Sequence, residues 1–177
     1  NRFRDKISYA RMDNGTRDMQ YVNAEKARTT GVEIMARYRL AQNFDLTGSY
    51  AYVDDYEETD GLNTSYVRPH SMTFGACYRR TLLKVDWTAA LNGQWTSRLR
   101  TNTLNRDGSY YYVVYDPRTM CNLNLSARFL RGVTAGLMIE NLFGYQDKSS
   151  DRAVQVPQQG RNYVATLRLD LADVFKW

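Results

Sequence analysis

FDLTGSYAYV, residues 44–53, alternates with a period of two. Phe44, Leu46, Gly48, Tyr50 and Tyr52 fall on one side, and Asp45, Thr47, Ser49, Ala51 and Val53 on the other. Successive side chains of a strand point to opposite faces, so this is a strand with one aromatic-aliphatic face and one mostly polar face. Two structures satisfy it: a soluble sheet whose apolar face covers a core, or a membrane barrel whose apolar face meets lipid.

The alternation continues on both sides. Residues 2–11 put Phe3, Ile7 and Tyr9 on one parity, interrupted by Asp5 and Arg11, and the Asp13-Asn14-Gly15-Thr16 that follows is a turn signal. A second strand, 27–40, sets Val32, Ile34, Ala36, Tyr38 and Leu40 against Glu33, Met35, Arg37 and Arg39, a charged face for a soluble core. Residues 41–43 are a very short connection into the opening strand, which is expected to end in a long acidic loop, 54–67. Strand four, 71–79, groups Met72, Phe74, Ala76 and Tyr78, and a short connection follows near 81–83.

Strand five, 84–95, groups Val85, Trp87, Ala89, Leu91, Gly93 and Trp95. Its length, at about 3.3 Å per residue and a tilt near 45°, rises roughly 28 Å, close to the apolar thickness of an outer membrane, with the two Trp near the interfaces. A long loop is expected over 96–117. Strand six, 120–129, carries Cys121, Leu123, Leu125, Ala127 and Phe129 on one parity. Arg131-Gly132 makes a tight turn into strand seven, with Val133, Ala135, Leu137, Ile139 and Asn141 together. A third long loop, 144–160, precedes strand eight, where Tyr163, Ala165, Leu167, Leu169 and Leu171 share a face.

The pattern is all-β: eight antiparallel strands joined alternately by long and very short connections. A soluble meander has no reason to sort its loops in this way, whereas an outer-membrane barrel has short periplasmic turns and long extracellular loops. The 14 Tyr, 6 Phe and 3 Trp suit interfacial girdles, and no apolar run is long enough for a helical span. A net charge of +5, spread without a dense basic patch, gives no sign of nucleic-acid binding. Cys77 and Cys121 fall on opposite faces, which predicts two free thiols. Asn1 follows no leader and looks like the start of a fragment or of a processed chain.

KARTTGVEI (26–34), GSYAYVDD (48–55), IENLF (139–143) and GRNY (160–163) stand in an order and at separations that resemble the C-terminal third of TonB-dependent outer-membrane receptors. The resemblance implies a transmembrane barrel of about 22 strands with a plug inside. Residues 1–177 would supply its last eight strands as the C-terminal part, with the plug and the preceding strands absent from this sequence. It also implies active transport of a chelated nutrient (siderophore-iron, haem or cobalamin) across the bacterial outer membrane, without chemistry and without a cofactor. The implied partners are outer-membrane lipid, the plug and remaining strands, TonB through the plug, and the chelated ligand. The aromatic Trp177 is expected to be the true end of the protein, with 172–177 a short extension of the last strand.

Two other readings stay open: a self-contained eight-stranded outer-membrane barrel with a structural or adhesive role, and a soluble carbohydrate-binding sandwich.

His70 is the single histidine, no G-x-S-x-G elbow accompanies it, and no catalytic site is expected. No metal-ligand spacing occurs, and Asp54, Asp55, Glu57, Glu58 and Asp60 read as a solvated loop that lacks the spacing of a calcium loop. The ligand-contact candidates are Arg98, Arg100, Tyr110, Tyr111, Tyr112 and Tyr115, with Arg106 nearby. Aromatic rings with polar tips give broad contact, and guanidinium pairs with the carboxylates of a chelate. The plainer alternative for the tyrosines is an interfacial girdle. Glu33, Arg37, Arg39, Lys84, Asp86, Arg128, Glu140, Arg168 and Asp170 are expected to line the inner wall.

Overall fold

In the computed structural model the residues described are 2–3, 6–11, 19–24, 26–104, 107–130, 132–146 and 160–171. The strands are β1 (Arg2–Phe3), β2 (Lys6–Arg11), β3 (Met19–Ala24), β4 (Lys26–Ala41), β5 (Phe44–Thr59) and β6 (Leu62–Asn63). They continue with β7 (His70–Leu82), β8 (Val85–Thr96), β9 (Leu99–Leu104), β10 (Tyr110–Tyr115), β11 (Arg118–Leu130), β12 (Val133–Glu140) and β13 (Asn162–Leu169). The main sheet runs β1-β4-β5-β7-β8-β11-β12-β13, antiparallel throughout, with β6 on the end of β5. The path is open: among the described residues β13 pairs only with β12.

Residues directly opposite in a ladder share a face, so the register sorts the side chains. Ile34 faces Tyr50, Tyr50 faces Met72, and Met72 faces Trp95. Leu91 faces Leu123, Leu123 faces Ile139, and Ile139 faces Tyr163. One face is therefore apolar across all seven long strands, and it is uncovered: Ile34, Trp87 and Leu167 are each more than half exposed. Among the described residues the buried apolar set is Ala27, Leu99, Val113 and Cys121, which is no core for a soluble sandwich. So large an apolar surface belongs against lipid. Both cysteines are free thiols.

Phe44 and Tyr78 meet at 6.3 Å near the short-turn end of the apolar face. At its other end the His70 ring lies 6.1 Å from Tyr50 and 5.1 Å from Tyr52, and Nδ1 bonds the Tyr50 hydroxyl at 2.7 Å. These are two aromatic belts, with polar tips where apolar surface gives way to water.

On the opposite face Asp45, 8% exposed, takes two hydrogen bonds from Arg79 at 2.9 and 3.0 Å and one from Arg39 at 3.2 Å. One carboxylate thus ties β4, β5 and β7 together. Glu140 and Asn162 bond across β12 and β13 at 2.9 Å.

The short connections form as expected, with one correction: Leu83 and Lys84, at φ +54° and +63°, make the β7–β8 turn, so Lys84 leaves the inner-wall set. Gly132 supplies φ +72° after residue 131, which lies outside the described residues. Strand seven stops at Glu140 because Asn141 turns the chain at φ +51°. The Asn141 amide then exchanges two hydrogen bonds with the main chain of Tyr145, at 2.9 and 2.8 Å. This explains the asparagine of IENLF by turn geometry.

The expected long loops differ more. Residues 54–59 are strand, because their acids meet cations across the ladder: Arg28–Asp54 at 2.7 Å and Lys26–Glu58 at 3.3 Å. Asp60 and Gly61, both at positive φ, then close a two-residue turn into β6, as Asp-Gly does in type I′ hairpins. Expected strand one appears as β1 and β2, and Phe3 facing Ala27 keeps the same register as Lys6 facing Ala24. The Asp13–Thr16 turn, Arg106, most of the loop 144–160 and the C-terminal extension with Trp177 lie outside the described residues.

Candidate binding rim above the wall

The segment 96–117, expected as a loop, is the hairpin β9–β10. Thr96 faces Arg118 and Leu99 faces Tyr115 in one register, so the hairpin prolongs the β8–β11 ladder beyond the wall. The ladder breaks between them, where Pro117 has no N–H to give. Arg68 fills the break from the adjoining loop, donating to the carbonyls of Ser97 and Asp116, the latter at 2.8 Å. Ser97 is further held by His70: its N–H reaches the His70 carbonyl at 2.9 Å, and its hydroxyl accepts the His70 N–H at 3.1 Å.

The loop before β7 leans on this hairpin. Tyr66 and Thr103 share a hydroxyl hydrogen bond, and Asn102 donates to the Asn63 carbonyl at 2.9 Å. Leu99, Thr101 and Val113 are buried as a result. A cleft of about 440 Å³ lies at the junction, lined among others by Asp54, Asp55, Ser65, His70, Arg98 and Arg100.

The six candidate residues are divided by strand alternation. Arg98 and Arg100 are both exposed and both border the cleft, with Arg98 3.8 Å from the Asp116 carboxylate. Tyr112 is 59% exposed. Tyr110 is half-buried, and burial first, then the charge and hydrogen bond of Asp60, hold its phenol above the usual value. Tyr111 and Tyr115 lie on the parity of buried Val113 and are half-buried. The structure thus brings Arg98 and Arg100 to one cleft and puts Tyr112 on the parity of Arg100, which pairs with Val114. The sequence reading missed Arg68, because nothing in its local sequence signals a partner 48 residues away.

Asp54, Asp55 and Glu58 are engaged by Arg28, by Thr29 with Ser65, and by Lys26 with Tyr56. Among the described residues no group of His, Cys, Asp or Glu is arranged to hold a metal ion. The rim offers guanidinium, phenol and carboxylate groups for recognition.

The family model for the TonB dependent receptor-like β-barrel matches residues 1–142. No curated protein matches significantly. Among solved structures the chain is similar to the copper transporter OprC, at 20% identity and TM-score 0.71, over 93% of this chain and 27% of that one. It is also similar to the FrpB iron transporter of Neisseria meningitidis, at 15% identity and TM-score 0.68, over 94% and 27%. The pyoverdine outer-membrane receptor FpvA of Pseudomonas aeruginosa matches at 13% identity and TM-score 0.67, over 94% and 25%. The chain therefore spans about a quarter of the length of these transporters and receptors. An all-β antiparallel wall, an uncovered apolar face and the family match over most of the sequence lead to one conclusion: the chain belongs to the TonB-dependent receptor β-barrel family, whose members sit in the bacterial outer membrane.

Proposed function

We propose that the chain is the C-terminal part of the barrel of a TonB-dependent receptor that imports a chelated nutrient across the outer membrane. A siderophore-iron complex, haem or a cobalamin is the cargo class. The open sheet supports the reading. Among the described residues β13 pairs only with β12, and the outer side of β4 pairs with β1 only at Ala27 and Arg28; edges left open in lipid are untenable, and further strands would close them. The named relatives are transporters of copper and iron and a receptor of pyoverdine, three times or more the length of this chain.

In this reading ligand contact falls to the rim. Arg98 and Arg100 border the cleft, and Tyr112 extends from the prolonged hairpin, while the plug closes the lumen below and TonB acts on the plug. The observation that carries the assignment of the rim is the continuation of the β8–β11 ladder into β9–β10, which lifts these side chains above the aromatic belt.

The test is uptake by cells carrying the full-length receptor gene, with radio-iron complexes of hydroxamate and catecholate chelators, haem and cobalamin as probes. Energy-dependent uptake of one probe, lost without TonB and weakened about tenfold by Arg98→Ala/Arg100→Ala, is expected. Uptake untouched by the rim variants overturns the site; a closed eight-stranded barrel formed by this chain alone in detergent overturns the receptor reading.

A further inference from the structure

The lipid face carries two cations at its short-turn end. On β7 the alternation that sends Phe74, Ala76 and Tyr78 to lipid sends Arg80 there too, and the register sets Arg80 directly opposite Trp87 of β8. Both strands lie inside the sheet, with β5 and β11 on their outer sides, so this placement does not depend on strands beyond the chain. Lys84 follows in the β7–β8 turn. Arg80 and Lys84 are exposed, and neither makes an ion pair among the described residues.

Among the described residues no carboxylate of the lipid face lies at this end. Asp86, the nearest along the chain, pairs with Thr81 and accepts its hydroxyl at 2.7 Å on the opposite face. Asp45 is also on the opposite face and is held by Arg39 and Arg79. Asp54 and Glu58 have the lipid parity, but they stand at the long-loop end and are engaged by Arg28 and Lys26. A cation on a lipid-facing wall is costly without a partner, so the counter-charge for Arg80 must come from the membrane.

The surroundings place that partner at the boundary of the bilayer. Tyr78, two residues before Arg80, meets Phe44 at 6.3 Å in the aromatic belt, and Leu83 at the tip of the turn is 88% exposed. Leu83 and Lys84 hold left-handed backbone where Asn-Gly would fit without strain, so the turn presents an apolar and a cationic side chain at the cost of a strained conformation. Leucine suits the acyl layer, and the long stem of Arg80 lets its charge reach the headgroups beyond it.

We propose that Arg80 and Lys84, with Trp87 beside them, form a binding site for the phosphate of an anionic phospholipid in the periplasmic leaflet. Charge complementarity selects the headgroup: two cations without a carboxylate suit a net negative one such as phosphatidylglycerol, whereas the ammonium of phosphatidylethanolamine would meet Lys84. The planar fork of Arg80 can take two phosphate oxygens. The exposed leucine commits the site to a lipid over a free phosphate, and its place among the short turns commits it to the inner leaflet. The site follows from the outer-membrane setting and is independent of the cargo.

The experiment reconstitutes the full-length receptor in phosphatidylethanolamine bilayers containing a small fraction of phosphatidylglycerol with brominated chains, which quench nearby indoles. The fluorescence of Trp87 is the difference between wild type and Trp87→Phe. Its quenching is expected to report a local phosphatidylglycerol fraction about tenfold above the bulk, and Arg80→Gln/Lys84→Gln, made in both backgrounds, should return it to the bulk value. Arg37→Gln, the same kind of charge removal on the inner face, should leave the enrichment in place. Retention of the heat-modifiable band shows that each barrel is folded. No enrichment in wild type, enrichment that survives the double variant, or an equal loss in Arg37→Gln overturns the proposal. Should the double variant fail to fold, wild type and Trp87→Phe are compared at about 0.1 and 1 M salt, where the screening length falls from about 10 to 3 Å. Enrichment that fades with salt supports the site, and salt-independent enrichment overturns it. A receptor that enriches the lipid yet imports none of the chelate probes keeps this site and loses only the transport reading.

Discussion

The guanidinium of Arg68 donates to the main-chain carbonyl of Asp116 at 2.8 Å, across 48 residues of chain. The same nitrogen serves the carbonyl of Ser97. One side chain therefore occupies the place where Pro117 interrupts the ladder, and the rim hairpin stands upright on it.

Arg68→Ala leaves both carbonyls without this donor and is expected to weaken the hairpin by about 1–2 kcal/mol. Amide exchange over residues 99–115 should accelerate by about tenfold or more, while the heat-modifiable mobility of the barrel stays unchanged. Arg68→Lys, which lacks the planar fork, should recover only part of the protection.

Gly93 lies under the Phe74 ring on the lipid face, and a Cβ there would fall 2.1 Å from Phe74 Cζ. Gly93→Ala should cost about 1–3 kcal/mol by displacing the ring. Adding Phe74→Ala should cost less than the two separate losses combined, as urea unfolding of the two singles and the double would measure. Strict additivity would show that the ring moves aside freely.

Leu83 and Lys84 occupy left-handed backbone without being glycine or asparagine, at φ +54° and +63°. Replacing the pair with Asn-Gly suits a type I′ turn and should raise stability by about 1 kcal/mol. The urea midpoint should shift upward with an unchanged slope.

Above the membrane, the Tyr56 hydroxyl and then Lys26 hold the Glu58 carboxyl below its usual value of 4.5, and Glu58 in turn raises the Tyr56 phenol. A depressed carboxyl contributes stability that is present above its unfolded value and is lost as pH falls through the folded one. Tyr56→Phe removes the largest cause, so the Glu58 carboxyl should titrate closer to 4.5, followed by carbon NMR of the labelled side chain. The part of the upper β4–β5 hairpin's stability that acid removes below pH 4.5 should therefore be smaller in the variant than in wild type.

The wall was legible because period-two alternation is a property of each strand alone. Phe44 to Val53 reads as a two-faced strand from its own side chains, and the register shows that its apolar face continues, uncovered, across the neighbouring strands. The upper structure was not legible in the same way. Asp54, Asp55, Glu57 and Glu58 look like a solvated loop until Lys26 and Arg28 stand opposite them, and those cations come from a strand that begins 28 residues earlier. Local composition carries no information about a counter-charge supplied by another strand.

The candidate site divides similarly. Arg98, Arg100 and the tyrosines stood out by residue type, but strand alternation, visible only once 99–115 is known to be a hairpin, separates exposed Tyr112 from half-buried Tyr111 and Tyr115.

By itself the sequence determined the two-faced strands and the short turns, because each follows from spacing along one segment, and the alternation of long and short connections along the chain pointed to the membrane. Only the tertiary structure decided that the ladders rise beyond the wall, that Arg68 holds the rim, and that Asp45 binds Arg39 and Arg79 from the strands on either side of it. Those relationships depend on register between distant strands, and register is set by all the pairings of a sheet together.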